Sequence, residues 1–229
     1  MTEFKIISKK EYLKNNKRPD QEEVWDNISD LWVEYKKMPF FNVEDFLKNK
    51  KGKIIDLGCG TGRNMIASKD LEYYGVDTSS CQLGKAISFS EDNKINAQFF
   101  KMSAHKLSKK DFKKDMFDCG LFIAALHCLE NSDKRLRALN ELYRVLKPGA
   151  EALISVWNSE DKRFDSVRNE KDIYMSWKYE GNVYMRYYYL FDKKELIDLI
   201  ERAGFEILEI YDKGNDRFSK KNLIVRVRK

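Results

Sequence analysis

Between residues 54 and 64 the chain reads IIDLGCGTGRN, an apolar run closed by Asp56 and followed by Gly58, Gly60 and Gly62 at alternate positions. Glycines so placed bare the backbone amides and permit left-handed conformations, which suits a turn where a ligand packs on the main chain. A second acid, Asp77, follows 21 residues later at the close of YYGVD. A carboxylate at that distance from a glycine-rich turn can accept from both hydroxyls of a ribose. The pair points to a nucleoside-bearing ligand, whereas the glycines alone would also suit a structural turn. The remaining residues with chemistry to offer lie further on. His127 follows the run FDCGLFIAAL, Trp157 closes EALISVW, and Arg186 opens RYYYLF. The four cysteines (Cys59, Cys81, Cys119, Cys128) form no C-x-x-C pair and have only His105 and His127 beside them. A structural zinc site is therefore not expected, and reduced thiols in a cytoplasmic compartment are.

Something must position these residues. A chain of 229 residues suits one α/β domain with elaborations and can bury a sizeable core. Apolar runs at 53–57, 72–77, 97–102, 117–124, 151–157, 205–211 and 222–227 read as strands, and 133–146 carries a helical stripe ended by KPG at 147–149. Strands alternating with helices imply a mainly parallel sheet with helices on both faces. The last two runs are joined by only about ten residues, including Gly214 and Asn215. That length suits a hairpin, so the final strand should be antiparallel to its neighbour. No stretch of about 18 apolar residues exists, and the first twenty residues hold no apolar signal core. A soluble, intracellular protein without membrane attachment is the expectation. The net charge of +6 is unevenly spread: residues 101–114 hold six lysines and one acid. Such a patch is either a solvated surface or a face for phosphates.

The identity of the nucleoside follows from charge. A dinucleotide fingerprint, G-x-G-x-x-G, frees a helix terminus for a pyrophosphate. Here the spacing is G-x-G-x-G with Asp56 two residues before it, and an acid so close would repel a pyrophosphate. It suits a ligand with a cationic amino-acid end, and S-adenosylmethionine fits. Gly58 and Gly60 would clear the turn for it, and Gly62 would permit a tight helix start.

These residues resemble the class I S-adenosylmethionine-dependent methyltransferases. IIDLGCGTG matches that family's first motif, YYGVDTSS its ribose-binding second strand, FFKMSAHKL its third motif, and FDCGLFIAALHCLEN its fourth strand. The resemblance covers about residues 20–227. It implies a Rossmann-like seven-stranded mixed sheet of order 3-2-1-4-5-7-6 with strand 7 antiparallel. It also places the cofactor along Asp56, Gly58, Gly60, Gly62, Asp77, Thr78, Met102, Ser103, Ala104 and Ile123. Ser103 stands where the family often has an acid for the adenine amino group, so the backbone of Ala104 is the alternative reader of the ring. One domain spans 1–229, with an N-terminal helical cover at about 9–50 and a substrate-side insertion at about 158–191.

Two further segments, VWDNISDLWVEYKKMPFFNVEDFL and RYYYLFDKKELIDLIERAGFEI, are similar to the tRNA wobble-uridine methyltransferases. Those enzymes esterify the carboxylate of 5-carboxymethyluridine, commonly with a small zinc-containing activator subunit. The family reads R-Y-Y-H-L-F where this chain has Tyr189 for the histidine, and an arginine and K-P-W where it has Lys36 and MPF. The resemblance implies tRNA as a partner. A carboxylate acceptor with a pKa of about 4 needs no general base, but it needs a cation once removed from water. Arg186 can bind it bidentately, with Lys36, Trp157 and Tyr187 as further substrate contacts. An amine or phenol acceptor would instead call on His127 as base. A small-molecule acceptor, or an inert partner-binding module of the same fold, remain the alternatives.

Overall fold

The computed structural model describes residues 4–35, 38–211 and 221–229. Lys36, Gly214 and Asn215 lie outside that range. The described chain enters through β1 (Ile6–Ser8) and four short helices, α1 (Lys9–Leu13), α2 (Gln21–Asn27), α3 (Ser29–Tyr35) and α4 (Phe41–Leu47). Their starts are written in the sequence. Ser8 Oγ accepts from Glu11 N and Asp20 Oδ1 from Glu22 N, which satisfies amides that a helix start leaves unpaired.

The central sheet comprises β2 (Gly52–Leu57), β3 (Leu71–Asp77), β4 (Ala97–Lys101), β5 (Phe117–Ile123), β6 (Leu146–Trp157), β9 (Glu206–Tyr211) and β10 (Asn222–Arg228). Its order is β4-β3-β2-β5-β6-β10-β9, the expected 3-2-1-4-5-7-6. β10 runs antiparallel to both β6 and β9. The chain leaves β2 for β3 on one side and crosses to β5 on the other. The carboxyl ends of β2 and β5 therefore flank the point of reversal, where open α/β sheets bind ligands.

α6 (Ser132–Val145) and α7 (Lys193–Arg202) cover one face, packing Ala138, Leu139, Leu142, Leu196 and Ile200 against β5, β6 and β10. α5 (Ser80–Asp92) and α4 cover the other, through Leu83, Val43 and Leu47. One expectation fails here. No helix follows the glycine turn: Gly62 sits at φ +77°, and residues 63–70 form turns and irregular structure. The loop from 58 to 70 is braced instead by the Tyr73 hydroxyl, which accepts from Ile66 N (3.0 Å) and donates to Ile66 O (3.2 Å). α6 ends at Val145, two residues before KPG, and β6 begins at once at Leu146.

Between β6 and α7 the chain forms β7 (Asp172–Tyr179) and β8 (Asn182–Tyr189), which join β1 in a separate antiparallel sheet ordered β1-β7-β8. Glu180 and Gly181 make the two-residue turn, both with positive φ, the geometry that matches strand twist in tight hairpins. Gln21 in α2 ties the cover to this sheet: its Nε2 donates to Met185 O (3.1 Å) and its Oε1 accepts from Tyr187 N (2.8 Å). No described helix is long and apolar enough to cross a membrane.

Candidate active site

The glycine turn and Asp77 form one structure. Gly58 and Cys59 amides both donate to Val76 O, at 2.7 and 3.1 Å, carrying the β2–β3 pairing into the turn. Asp77 Oδ2 then accepts from Gly60 N (2.9 Å) and Oδ1 from Ser79 N (3.0 Å). Burial raises the Asp77 pKa, and these amide bonds oppose the shift. Gly58 is obligatory twice over: its φ is +69°, and a Cβ there would lie 2.2 Å from that of Ala125.

Around this turn lies a cavity of about 570 Å³. Its wall brings together Gly58, Gly60, Asp77, Thr78, Met102, Ser103, Ala104 and Ile123. Asp56 and Gly62 are not in the wall. Asp56 is 1 % exposed, directly behind the turn, and neither carboxylate oxygen has a hydrogen-bond partner among the described residues. Burial and the Asp77 charge raise its pKa to about 7 against the opposing pull of Arg63. A buried, unpartnered acid is costly unless a positive group arrives, so the turn fits a cationic ligand better than a pyrophosphate. Ser103 Oγ lies 2.5 Å from Nδ1 of His105, a residue given no part by the sequence but present in the cavity wall. The cover closes the same cavity through Trp25 and through Arg18, which pairs with Glu130 at the end of the β5–α6 connection.

A second cavity, of about 390 Å³, shares Trp25, Trp32, Arg63 and Ala124 with the first. Ala124 follows β5 at φ +54° and is held by Ser155, whose Oγ and O accept from its amide at 2.9 and 3.1 Å. A non-glycine residue fixed in that region stores strain, which clusters where function requires it. His127, Trp157 and Arg186 all line this second cavity, as do Arg163, Trp177 and Tyr188. Among the described residues, no aspartate or glutamate is in its wall.

Arg186 is 2 % exposed and boxed by aromatic rings, its Cζ 4.6 Å from the centroid of Trp177, 5.5 Å from Tyr188 and 5.6 Å from Trp32. Nη1 donates to Tyr188 Oη (2.9 Å), whereas Nε and Nη2 are buried with no partner among the described residues. Those two nitrogens form one edge of the guanidinium fork, which matches the two oxygens of a carboxylate.

Two expected contacts change. Tyr187 faces neither cavity: it is fully buried, and its hydroxyl donates to Asp172 and lies 3.1 Å from Glu130 O. Strand alternation explains this, since Arg186 and Tyr188 share one face of β8 and Tyr187 takes the other. Tyr188 is the ring that lines the cavity. His127 is 1 % exposed, and its Nδ1 accepts from Trp157 N (3.1 Å). Burial and the Arg163 charge push its pKa down to about 3. The ring is therefore neutral with its proton on Nε2, a hydrogen-bond donor without a free basic nitrogen. The residues not anticipated, Trp25, Trp32, Trp177 and Arg163, come from three separate segments. Only their aromatic and cationic types, and not their spacing, signalled them. No group of three or more His, Cys, Asp or Glu among the described residues could hold a metal.

The family described as "Methyltransferase domain" matches residues 32–210. The tRNA (carboxymethyluridine(34)-5-O)-methyltransferase of Schizosaccharomyces pombe is 31 % identical over 84 % of this chain and 92 % of its own length. Among solved structures, the CcbJ methyltransferase from Streptomyces caelestis superposes with a TM-score of 0.75 at 17 % identity, covering 92 % of this chain and 99 % of that one. The 1,6-didemethyltoxoflavin-N1-methyltransferase of Burkholderia thailandensis, solved with S-adenosylhomocysteine, superposes at 0.65 with 16 % identity, covering 94 % and 92 %.

Proposed function

We propose that this chain, which belongs to the S-adenosylmethionine-dependent methyltransferases, esterifies the carboxylate of 5-carboxymethyluridine at the wobble position of tRNA. The observation that carries this reading is Arg186: a buried guanidinium whose Nε and Nη2 lack a hydrogen-bond partner among the described residues, in a cavity that has no acid among those residues and adjoins the cofactor cavity. The similarity to the S. pombe tRNA enzyme supports the choice of acceptor.

In this reading the cofactor lies in the larger cavity, with Asp77 on the ribose hydroxyls and Met102, Ala104 and Ile123 against the adenine. Asp56 provides negative potential beneath the amino-acid end. The cofactor supplies a methyl carbon bonded to a sulfonium. Arg186 Nε and Nη2 hold the acceptor carboxylate and leave an oxygen lone pair directed past Ala124. With the cofactor bound, the carboxylate oxygen would take the methyl carbon and the electron pair of the C–S bond would leave with sulfur. No proton moves. Catalysis therefore rests on alignment and on exclusion of water by Trp25, Trp32 and Trp177. His127, with Nε2 protonated, serves as a donor and as a prop for Trp157. Lys36 is kept as a phosphate or carboxylate contact, though it lies outside the described residues. A small zinc-containing activator subunit belongs to the same reading; comparison of turnover with and without it tests that part.

The test is mass spectrometry of nucleosides from tRNA incubated with methyl-labelled cofactor. The expected product is one wobble nucleoside bearing the label as an ester, released by mild alkali. Label on any other nucleoside, or alkali-stable label, rejects the proposal.

A further inference from the structure

We propose that Arg163 forms a second anion subsite in the acceptor cavity, one that takes a phosphodiester adjoining the methylated nucleotide. The inference rests on the reading above and extends it from the carboxylate to the RNA backbone.

Arg163 lies on the 3₁₀ turn Lys162–Val167 that follows β6. Asp161 starts that turn, its Oδ1 accepting from Arg163 N at 2.8 Å. The same oxygen is 3.2 Å from Arg163 Nε, near enough for charge attraction but without hydrogen-bond geometry. Both Nε and Nη2 are buried and lack a hydrogen-bond partner among the described residues. The guanidinium is fixed by rings, its Cζ 4.9 Å from the centroids of both Trp157 and Phe164. An arginine held this way, ion-paired to Asp161 through Nε but with Nη2 buried and without a hydrogen-bond partner among the described residues, is a preorganised donor for oxygen ligands.

Arg163 and Arg186 line the same cavity and are held by different partners. Arg163 lies against Trp157, the Trp157 ring is 3.9 Å from that of Tyr188, and Tyr188 Oη accepts from Arg186. An aromatic pair thus links the two cations and keeps them apart. One carboxylate satisfies Arg186 and leaves the second set of donors unmet. A neutral carbonyl would fill one of them. A phosphodiester brings one charge and two non-bridging oxygens, which matches the guanidinium fork in number and sign.

The test uses anticodon stem–loop RNAs carrying 5-carboxymethyluridine at the wobble position, with the flanking phosphates native or singly replaced by neutral methylphosphonate. With the unaltered protein, one replacement is expected to lower kcat/KM about tenfold, mainly through KM. Arg163→Gln is expected to lose a similar factor on the native RNA, and the two losses should not add when combined. Calorimetry of S-adenosylmethionine binding checks that Arg163→Gln remains folded. Equal turnover of all the RNAs by the unaltered protein overturns the subsite, as do fully additive losses. No turnover of any carboxymethyluridine RNA rejects the proposed function itself, a different result.

Discussion

Replacing Arg186 with methionine separates a functional cation from a structural one. In the free protein Nε and Nη2 of the guanidinium are buried with no hydrogen-bond partner among the described residues, each nitrogen costing on the order of 1–3 kcal/mol. Against that stand one hydrogen bond to Tyr188, worth about 1 kcal/mol, and cation–π contact with Trp177 at 4.6 Å, worth about 0.5–2 kcal/mol. The penalties equal or exceed the gains, so Arg186→Met should leave the melting temperature within about 4 °C of the parent, or raise it. Turnover should respond otherwise. Truncating one partner of a buried, hydrogen-bonded charge pair costs roughly 2–5 kcal/mol, which is a loss of about thirty-fold to several thousand-fold at 1.4 kcal/mol per decade. The assay is single-turnover methyl transfer to a carboxymethyluridine stem–loop at saturating cofactor, with calorimetry to show unchanged cofactor affinity. Turnover within tenfold of the parent would refute the argument. So would a melting temperature lowered by ten degrees or more, because the arginine would then be a structural element.

Further outcomes follow from the same geometry. Asp77→Ala should weaken S-adenosylmethionine binding by about 1.5–3 kcal/mol, the range for a hydrogen bond to a charged group; unchanged affinity by calorimetry contradicts the ribose assignment. Asp56 has a folded pKa raised to about 7 from an ordinary value of 3.8, so between those values the folded state holds more protons than the unfolded one. Its contribution to stability is present at low pH and is lost as pH rises through about 4 to 7. Asp56→Asn should remove that part of the slope in denaturant titrations, and an unaltered slope counts against it. Cofactor binding at pH 6 should release a proton from the same group, visible as a buffer-dependent calorimetric enthalpy. His127 stays neutral above a pKa of about 3, so the rate at saturation should be flat between about pH 6 and 8. His127→Ala should cost less than Arg186→Met; a rate rising through about 6.5 that disappears in His127→Ala indicates base catalysis instead. Binding of tRNA should weaken steeply as salt is raised from 50 to 200 mM, roughly in proportion to the phosphates contacted, and salt-independent binding opposes a tRNA acceptor.

The sheet was readable because its strands are short apolar runs set between helices, and because Asp56, the glycines and Asp77 mark the carboxyl ends of β2 and β3. The acceptor side was not. β8 buries Met185 to Tyr189 on both faces, so it shows no alternation of apolar and polar residues, and RYYYLF reads as an aromatic cluster without direction. The Glu180–Gly181 turn between two aromatic runs was the available hairpin signal. Once β8 is a strand, period two puts Arg186 and Tyr188 on the cavity side and turns Tyr187 away. The aromatic box assembles Trp25 and Trp32 from the cover and Trp177 from β7, contacts that join segments more than 140 residues apart in sequence and leave no local periodicity. His127 has the opposite history. Its position beside β5 was legible, but its neutral state depends on burial and on Arg163, and its tautomer on the Trp157 amide thirty residues away. The helix expected after Gly62 is absent, and α4 packs on that face instead.

The most direct test of the Arg186 site is a crystal structure of the protein with S-adenosylhomocysteine and a short RNA containing 5-carboxymethyluridine. The carboxylate should lie within hydrogen-bond distance of Arg186 Nε and Nη2, with one oxygen directed past Ala124 toward the sulfur. A carboxylate bound outside the Trp25–Trp32–Trp177 box, with Arg186 still unpartnered, would contradict the account.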